Sequence, residues 1–305
     1  MGKVAFLFAG QGAQYPGMGE SLSNASAAAK AVFDTADAVR PGTSTQCFSG
    51  TKEELTQTHN TQPCVYCVDL AAARALEEAG VHADGVAGFS LGEVAALTFA
   101  GAFASDEAGF SLVVERGRLM EQANDRHPGA MAAVLKLKNE EVEAICAKFE
   151  HIWPVNYNCP GQLVAAGERE EIDPFCKAVS EAGGRAKKLA VGGGFHSPLM
   201  HEASASLEAV LEKMEMHQPR IPVYANFTSK PYAEPLKATL ARQMENPVRW
   251  QQTISQMMED GFDTFIEVGP GKTLSGLVKR IAPDAKILRV EDAQMLSDAV
   301  AACKA

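Results

Sequence analysis

Gly88-Phe89-Ser90-Leu91-Gly92 places a serine hydroxyl between two glycines, at a point where the chain changes periodicity. Ahead of it, Asp84-Gly85-Val86-Ala87 is a short apolar strand signal; after it, Glu93 to Ala100 is a helix-forming run closed by Gly101. A Gly-x-Ser-x-Gly at such a junction reads as a nucleophile elbow, in which a Cβ at either flanking glycine would crowd the neighbouring strand or helix. Ser90 would then sit at a helix N-terminus, where the dipole and the N–H of Leu91 favour the negative charge that develops in acyl transfer. The same five-residue pattern also occurs in ordinary loops, and it is the strand before and the helix after that turn it toward catalysis.

Three further positions carry chemistry. The loop Gly10-Gln11-Gly12-Ala13-Gln14-Tyr15-Pro16-Gly17-Met18-Gly19 follows an apolar first strand, Val4 to Phe8. A dinucleotide fingerprint would need glycine where Tyr15 stands, so the loop is read as a flexible turn or as one that brings backbone N–H groups to a ligand, with Gln11 as a second oxyanion donor. Arg116 stands three or four residues from Leu112, Val113, Leu119 and Met120, in the middle of the apolar stripe of its helix, whereas Arg118 shares the polar side with Glu115 and Glu121. A guanidinium so placed needs an anionic partner: either an acid from elsewhere in the fold, or the substrate. His196 lies in Gly192-Gly193-Gly194-Phe195-His196-Ser197-Pro198, the one histidine on a glycine-rich loop, and is read as a catalytic base in preference to a structural histidine. Gly271-Lys272-Thr273 has the tail of a phosphate-binding loop, but Ile266 stands where its first glycine belongs.

These residues need a scaffold. Helical patterns over 21–40, from Thr61-Gln62-Pro63 to Gly80, and from a Ser105 N-cap to about Gln122 alternate with strand signals at 4–8, 84–87 and 264–268, which predicts a parallel sheet covered on both faces. From 124 to 197 the texture changes. Strand signals at 130–135, 152–157, 162–166 and 185–191, with helices at 140–149 and 171–183, give a split βαβ unit of ferredoxin-like type. The expected organisation is therefore a catalytic domain from 1–123 and 198–305, with 124–197 inserted.

Of the 305 residues 46% are hydrophobic and 22% charged, an ordinary globular composition, and no apolar run is long enough to span a bilayer. The net charge of −10 argues against nucleic acid and against anionic membrane surfaces as partners. The seven cysteines are odd in number and scattered, and Cys64 and Cys67 lack a second pair for a zinc site. Reduced, mostly buried thiols in a cytoplasmic protein are expected, with no metal.

Taken together, the ordered motifs resemble the malonyl-CoA:acyl-carrier-protein transacylases of fatty-acid and polyketide synthesis. The likeness runs through Gly10 to Gln14, Asn60-Thr61-Gln62-Pro63, the Ser90 elbow, Glu115-Arg116-Gly117-Arg118, Asn158-Cys159-Pro160, Phe195-His196-Ser197, Asn246 to Trp250 and Glu267 to Gly271. It implies an α/β-hydrolase-like large domain with an inserted ferredoxin-like small domain. It further implies that Ser90 is acylated, that His196 is its base, and that the N–H groups of Gln11 and Leu91 form the oxyanion hole. Arg116 would pair with the malonyl carboxylate, Asn158 would help line the site, and the backbone carbonyl of Gln243 would orient the histidine. Malonyl-CoA and an acyl carrier protein bearing phosphopantetheine are the implied partners of a monomer without metal or redox cofactor, the carrier docking on basic residues drawn from Arg185, Lys187, Lys188, Lys279 and Arg280.

One departure stands out. Phe89 occupies the position where this family usually has histidine, so some contacts around the nucleophile must differ. Phe195, before the histidine, matches the malonyl-selective pattern of polyketide acyltransferases, in which the methylmalonyl-selective form has serine. Two rival readings are a thioesterase or esterase that gives the acyl group to water, which Arg116 argues against, and a silent carrier-docking subunit, which retention of both Ser90 and His196 argues against.

Overall fold

Lys3 to Phe8 is buried at every position after the first, as a strand covered on both faces must be. The computed structural model describes residues 2–304 and contains nine strands: β1 (Lys3–Phe8), β2 (Gly85–Gly88), β3 (Gly129–Leu135), β4 (Ile152–Cys159), β5 (Gln162–Glu168), β6 (Arg185–Lys188), β7 (Val223–Tyr224), β8 (Phe262–Val268) and β9 (Lys286–Val290). Five of them form a parallel sheet in the order β7-β2-β1-β8-β9. The register is informative, because Phe8 pairs with both Gly88 and Val268. The loops leaving β1, β2 and β8 therefore emerge at one level, at the carboxyl edge where open α/β sheets hold their ligands.

Close approach of backbone at that edge explains the two glycines of the elbow. A Cβ on Gly88 would stand 1.9 Å from the carbonyl carbon of Gly92, and one on Gly92 would stand 2.3 Å from the oxygen of Phe8. On one side of the sheet the helices Thr58–Glu78, Leu91–Phe99 and Asp106–Arg126 share a core with β1 and β2; on the other, Trp250–Glu259 and Thr273–Ile281 pack with Leu7, Phe262 and Phe265.

The other four strands form an antiparallel sheet in the order β4-β5-β3-β6. Helices Asn139–Cys146 and Arg169–Glu181 cover the face that carries Ala132, Val134, Leu163 and Ala165. Residues of opposite parity, among them Met131 and Val164, join the core of the larger sheet. The two layers are stitched by backbone: Val248 donates to Val155 O at 2.8 Å, and Tyr157 donates to Val248 O at 2.9 Å.

Several boundaries differ from the sequence expectation. The 21–40 helix is broken at Ser26, whose hydroxyl accepts from Ala29 N–H and so caps a new helix, Ala27–Val39. The second helix begins at Thr58 and the Ser105-capped one runs on to Arg126. β6 stops at Lys188, short of Val191, and the helix after Pro198 ends at Leu211 rather than near Met216. In both, the apolar pattern continues into a segment whose backbone has left the sheet or helix.

Candidate active site

Ser90 sits in the elbow at φ 55° and ψ −106°, left-handed backbone in a residue with a Cβ. Such a conformation costs about 1–3 kcal/mol and persists only where the surroundings enforce it. Here two side-chain amides bond to the backbone of the elbow. Asn226 accepts from Ser90 N–H at 2.8 Å and donates to Gly88 O at 2.6 Å, and Gln243 donates through Nε2 to Ser90 O at 2.6 Å.

His196 is the second non-glycine residue of the site with positive φ, 62°, anchored by its N–H to Met244 O at 3.0 Å. Its ring is held at both nitrogens: Nδ1 lies 3.0 Å from Gln243 O and Nε2 lies 2.7 Å from Ser90 Oγ. A carbonyl only accepts, so Nδ1 carries the hydrogen and Nε2 is left with a lone pair facing the serine hydroxyl. Burial, and then the charge of Arg116, pull the imidazole down to about 4, so it is neutral and able to take a proton at pH 7.

Arg116 is fully buried. It donates to Gln62 Oε1 at 2.7 Å, to Gln243 Oε1 at 2.8 Å and to Ser90 Oγ at 3.2 Å, all neutral acceptors, and its Nε has no partner. Arg74, Arg118, Arg126 and Arg289 pair with carboxylates; among the described residues Arg116 does not. The alternative of a structural ion pair is thus set aside. Burial lowers Arg116 to about 10, which leaves it charged at neutral pH, with the Glu93 carboxyl as the largest opposing influence. Glu93 is itself buried and pushed up to about 7 by desolvation, against the pull of hydrogen bonds from the Tyr232 hydroxyl and the Asn226 N–H.

A cavity of about 470 Å³ opens between the two sheets beside the elbow. Gln11, Phe89, Asn156 and Asn158 are among its lining, and the buried Oδ1 atoms of Asn156 and Asn158 have no protein partner. Phe89 packs its ring 5.5 Å from that of Trp250, so an aromatic contact fills the position where the family usually has histidine. The Leu91 N–H opens its helix and the Gln11 N–H lies in the turn after β1, so both donors stand at the carboxyl edge with Ser90. A hollow of about 530 Å³ between β9 and the Ala293–Lys304 helix has no histidine or cysteine in its lining and lies at the outer edge of the large sheet, away from the elbow.

The basic residues singled out at the entrance are exposed, but they divide. Lys187 pairs in register with Ala133, which lines the cavity, so it faces the mouth. Lys188 pairs with Ala132 on the opposite, helix-covered face, where it meets Asp173 at 2.5 Å. Arg280 donates to Pro160 O and Gln162 Oε1, at the cavity rim. Gln62, Asn226, Glu93 and the side chain of Gln243 were given no part by sequence reasoning, because polar residues in a helix start, a loop or a helix interior look alike until the fold places them.

The acyl transferase domain model matches residues 5–295. The malonyl CoA-acyl carrier protein transacylase of Bacillus subtilis (strain 168) is 37% identical over 312 residues, covering 100% of this chain and 98% of the relative. The crystal structure of the transacylase of that name from Clostridium perfringens superposes with a TM-score of 0.95 at 36% identity, covering 99% of this chain and 97% of the other. A malonyl-transacylase solved in complex with its type II PKS acyl-carrier protein gives 0.94 at 36% identity, over 98% and 99% of the two chains. With likeness extending over the whole length in both sequence and fold, this chain belongs to the acyl transferase family, among its malonyl-CoA:acyl-carrier-protein transacylases.

Proposed function

We propose that this protein moves a malonyl group from malonyl-CoA to the phosphopantetheine thiol of an acyl carrier protein through a malonyl ester on Ser90. The observation that carries the reading is the meeting of three groups on one oxygen or around it: Ser90 Oγ lies 2.7 Å from His196 Nε2 and 3.2 Å from Arg116 Nη2. In the first half, Ser90 Oγ attacks the thioester carbon while its proton passes to His196 Nε2; the tetrahedral oxygen is received by the N–H groups of Leu91 and Gln11, and coenzyme A leaves as a thiol with that proton. In the second half the carrier thiol gives its proton to His196, attacks the ester carbon and frees Ser90, which takes the proton back. Arg116 holds the malonyl carboxylate and Asn158 lines the path of the acyl chain. Gln243 contributes its backbone oxygen to the histidine. Coenzyme A and the carrier bring all the chemistry the protein lacks, and no metal or redox group takes part.

The architecture we assign is an α/β-hydrolase-like domain, 1–123 and 198–305, with a ferredoxin-like insertion at 124–197; the two sheets and the cavity between them support it. We assign the protein to act as a monomer, since the serine, its base and the arginine meet without any residue from a second copy. Seven unpaired cysteines, five of them buried, support a cytoplasmic setting, and no helix among the described residues is long and apolar enough to cross a membrane. Initial rates with malonyl-CoA and carrier varied together test the reading: a double displacement gives parallel reciprocal plots, whereas intersecting plots would require both substrates to be bound at once.

A further inference from the structure

Asn226 lies in the loop after β7 and is fully buried. Its one amide grips both ends of the elbow, accepting from Ser90 N–H at 2.8 Å and donating to Gly88 O at 2.6 Å. The Ser90 N–H lies beyond the end of β2 and before the helix that starts at Leu91, so neither regular structure supplies it with an acceptor. The grip is itself held: Asn226 N–H donates to Glu93 Oε2 at 2.7 Å, Asn226 O accepts from Arg249 N–H at 2.8 Å, and the Tyr232 hydroxyl donates to the other oxygen of Glu93. Glu93 belongs to the helix that Ser90 opens, so the contacts close a ring from nucleophile to loop to helix.

We propose that Asn226 is a positioning residue for the nucleophile, holding Ser90 in its left-handed conformation, and that Glu93 acts as the hydrogen-bond anchor that fixes the Asn226 amide. The inference rests on the acyl-transfer reading of the site. The direction of the Ser90 Cβ relative to the chain follows from its φ and ψ, and at φ 55° Oγ reaches both His196 Nε2 at 2.7 Å and Arg116 Nη2 at 3.2 Å. Relaxation toward ordinary negative φ would swing the hydroxyl out of line, and misplacement by about 1 Å costs on the order of 10²-fold in rate.

The test uses Asn226→Ala, Asn226→Asp and Glu93→Gln in the full chain, each assayed well below its own unfolding midpoint. Two rates are read: malonylation by malonyl-CoA, and labelling of Ser90 by a small uncharged fluorophosphonate, which makes no use of Arg116. Affinity for malonyl-CoA is measured with Ser90→Ala added. Asn226→Asp keeps the size of the side chain and the acceptor for Ser90 N–H but loses the donor to Gly88 O. Both Asn226 variants should lose about 10²-fold in labelling and malonylation alike, with malonyl-CoA affinity changed less than about threefold, while Glu93→Gln, which keeps an acceptor for the Asn226 N–H but gives up one of the two anchoring oxygens, should lose severalfold, well short of the Asn226 variants. Labelling of the Asn226 variants at the parental rate, with only the unfolding midpoint lowered, would make Asn226 a structural residue and overturn the proposal. A Glu93→Gln loss as large as that of Asn226→Asp would overturn the anchoring part, since charge would then be what counts. If the parent were labelled by the fluorophosphonate but not malonylated, the acyl-transfer reading would fall while the positioning result still stood on labelling.

Discussion

Arg116 Nη2 stands 3.2 Å from Ser90 Oγ, so a fully buried cation touches the hydroxyl that the elbow presents. Its other bonds go to the amide oxygens of Gln62 and Gln243, which orient the guanidinium without neutralising it. A malonyl carboxylate offers that charge a planar, charge-assisted contact; an acetyl group offers none. Breaking or failing to make a buried ion pair costs about 3–5 kcal/mol, and half of that still exceeds tenfold in selectivity. Arg116→Ala is therefore expected to lose malonyl transfer by more than tenfold and to gain acetyl-CoA turnover relative to malonyl-CoA. Arg118→Ala removes only an exposed pair with Glu115 and should do neither. Rates of acylation by the two thioesters, compared across the three proteins, check this.

The depressed imidazole sets the pH dependence. His196 must be neutral to accept the serine proton, and burial together with the Arg116 charge holds it at about 4 instead of 6.5. The acylation kcat/KM should therefore stay level as pH falls through 6.5 and decline only toward pH 4. A depressed histidine favours folding above its unfolded value and loses that contribution as pH falls toward 4, whereas Glu93, raised to about 7, contributes below its ordinary value of 4.5 and loses that contribution as pH rises through 7. Glu93→Gln should accordingly remove the part of stability that falls between about pH 4.5 and 7, as followed by chemical unfolding.

Carrier transfer should depend on which face of the small sheet a lysine occupies. Lys187 faces the cavity mouth and Lys188 is engaged by Asp173 behind it. Lys187→Glu is expected to slow transfer to the carrier severalfold, more at low salt if the docking is by charge, and to leave self-acylation by malonyl-CoA unchanged; Lys188→Glu should leave both steps unchanged. Stopped-flow or quenched measurement of the two half-reactions separates the outcomes.

Gly88→Ala probes the elbow from the side of packing. The added Cβ would meet the Gly92 carbonyl carbon at 1.9 Å, backbone that cannot turn aside as a side chain could. Destabilisation of about 3 kcal/mol or more is expected, at the upper end of overpacking effects, read from the denaturant midpoint.

Much of this site was legible in the chain itself. Ser90, with its strand before and helix after, and Arg116, in the middle of an apolar stripe, each violate a local rule in a way that points to use. The small-sheet element order also followed from alternation and turn residues, since those are local signals. The amide clamps were not legible. Asn226 is 136 residues from Ser90 and Gln243 is 127 from Arg116, and nothing in a loop asparagine or a glutamine before Met244 announces a partner so far away. The split between Lys187 and Lys188 likewise needed the register of β6 on β3, because the strand period decides which of two adjacent lysines faces the cavity.

A double displacement requires Ser90 to carry the malonyl group between donor and acceptor. Intact-mass measurement after mixing with malonyl-CoA, in the absence of any carrier, would reveal that ester. One malonyl group per chain is expected, mapped to Ser90, stable until holo carrier is added and then lost to the carrier, with no adduct on Ser90→Ala. An adduct that persists on Ser90→Ala, or none on the parent while the carrier is still malonylated, would contradict it.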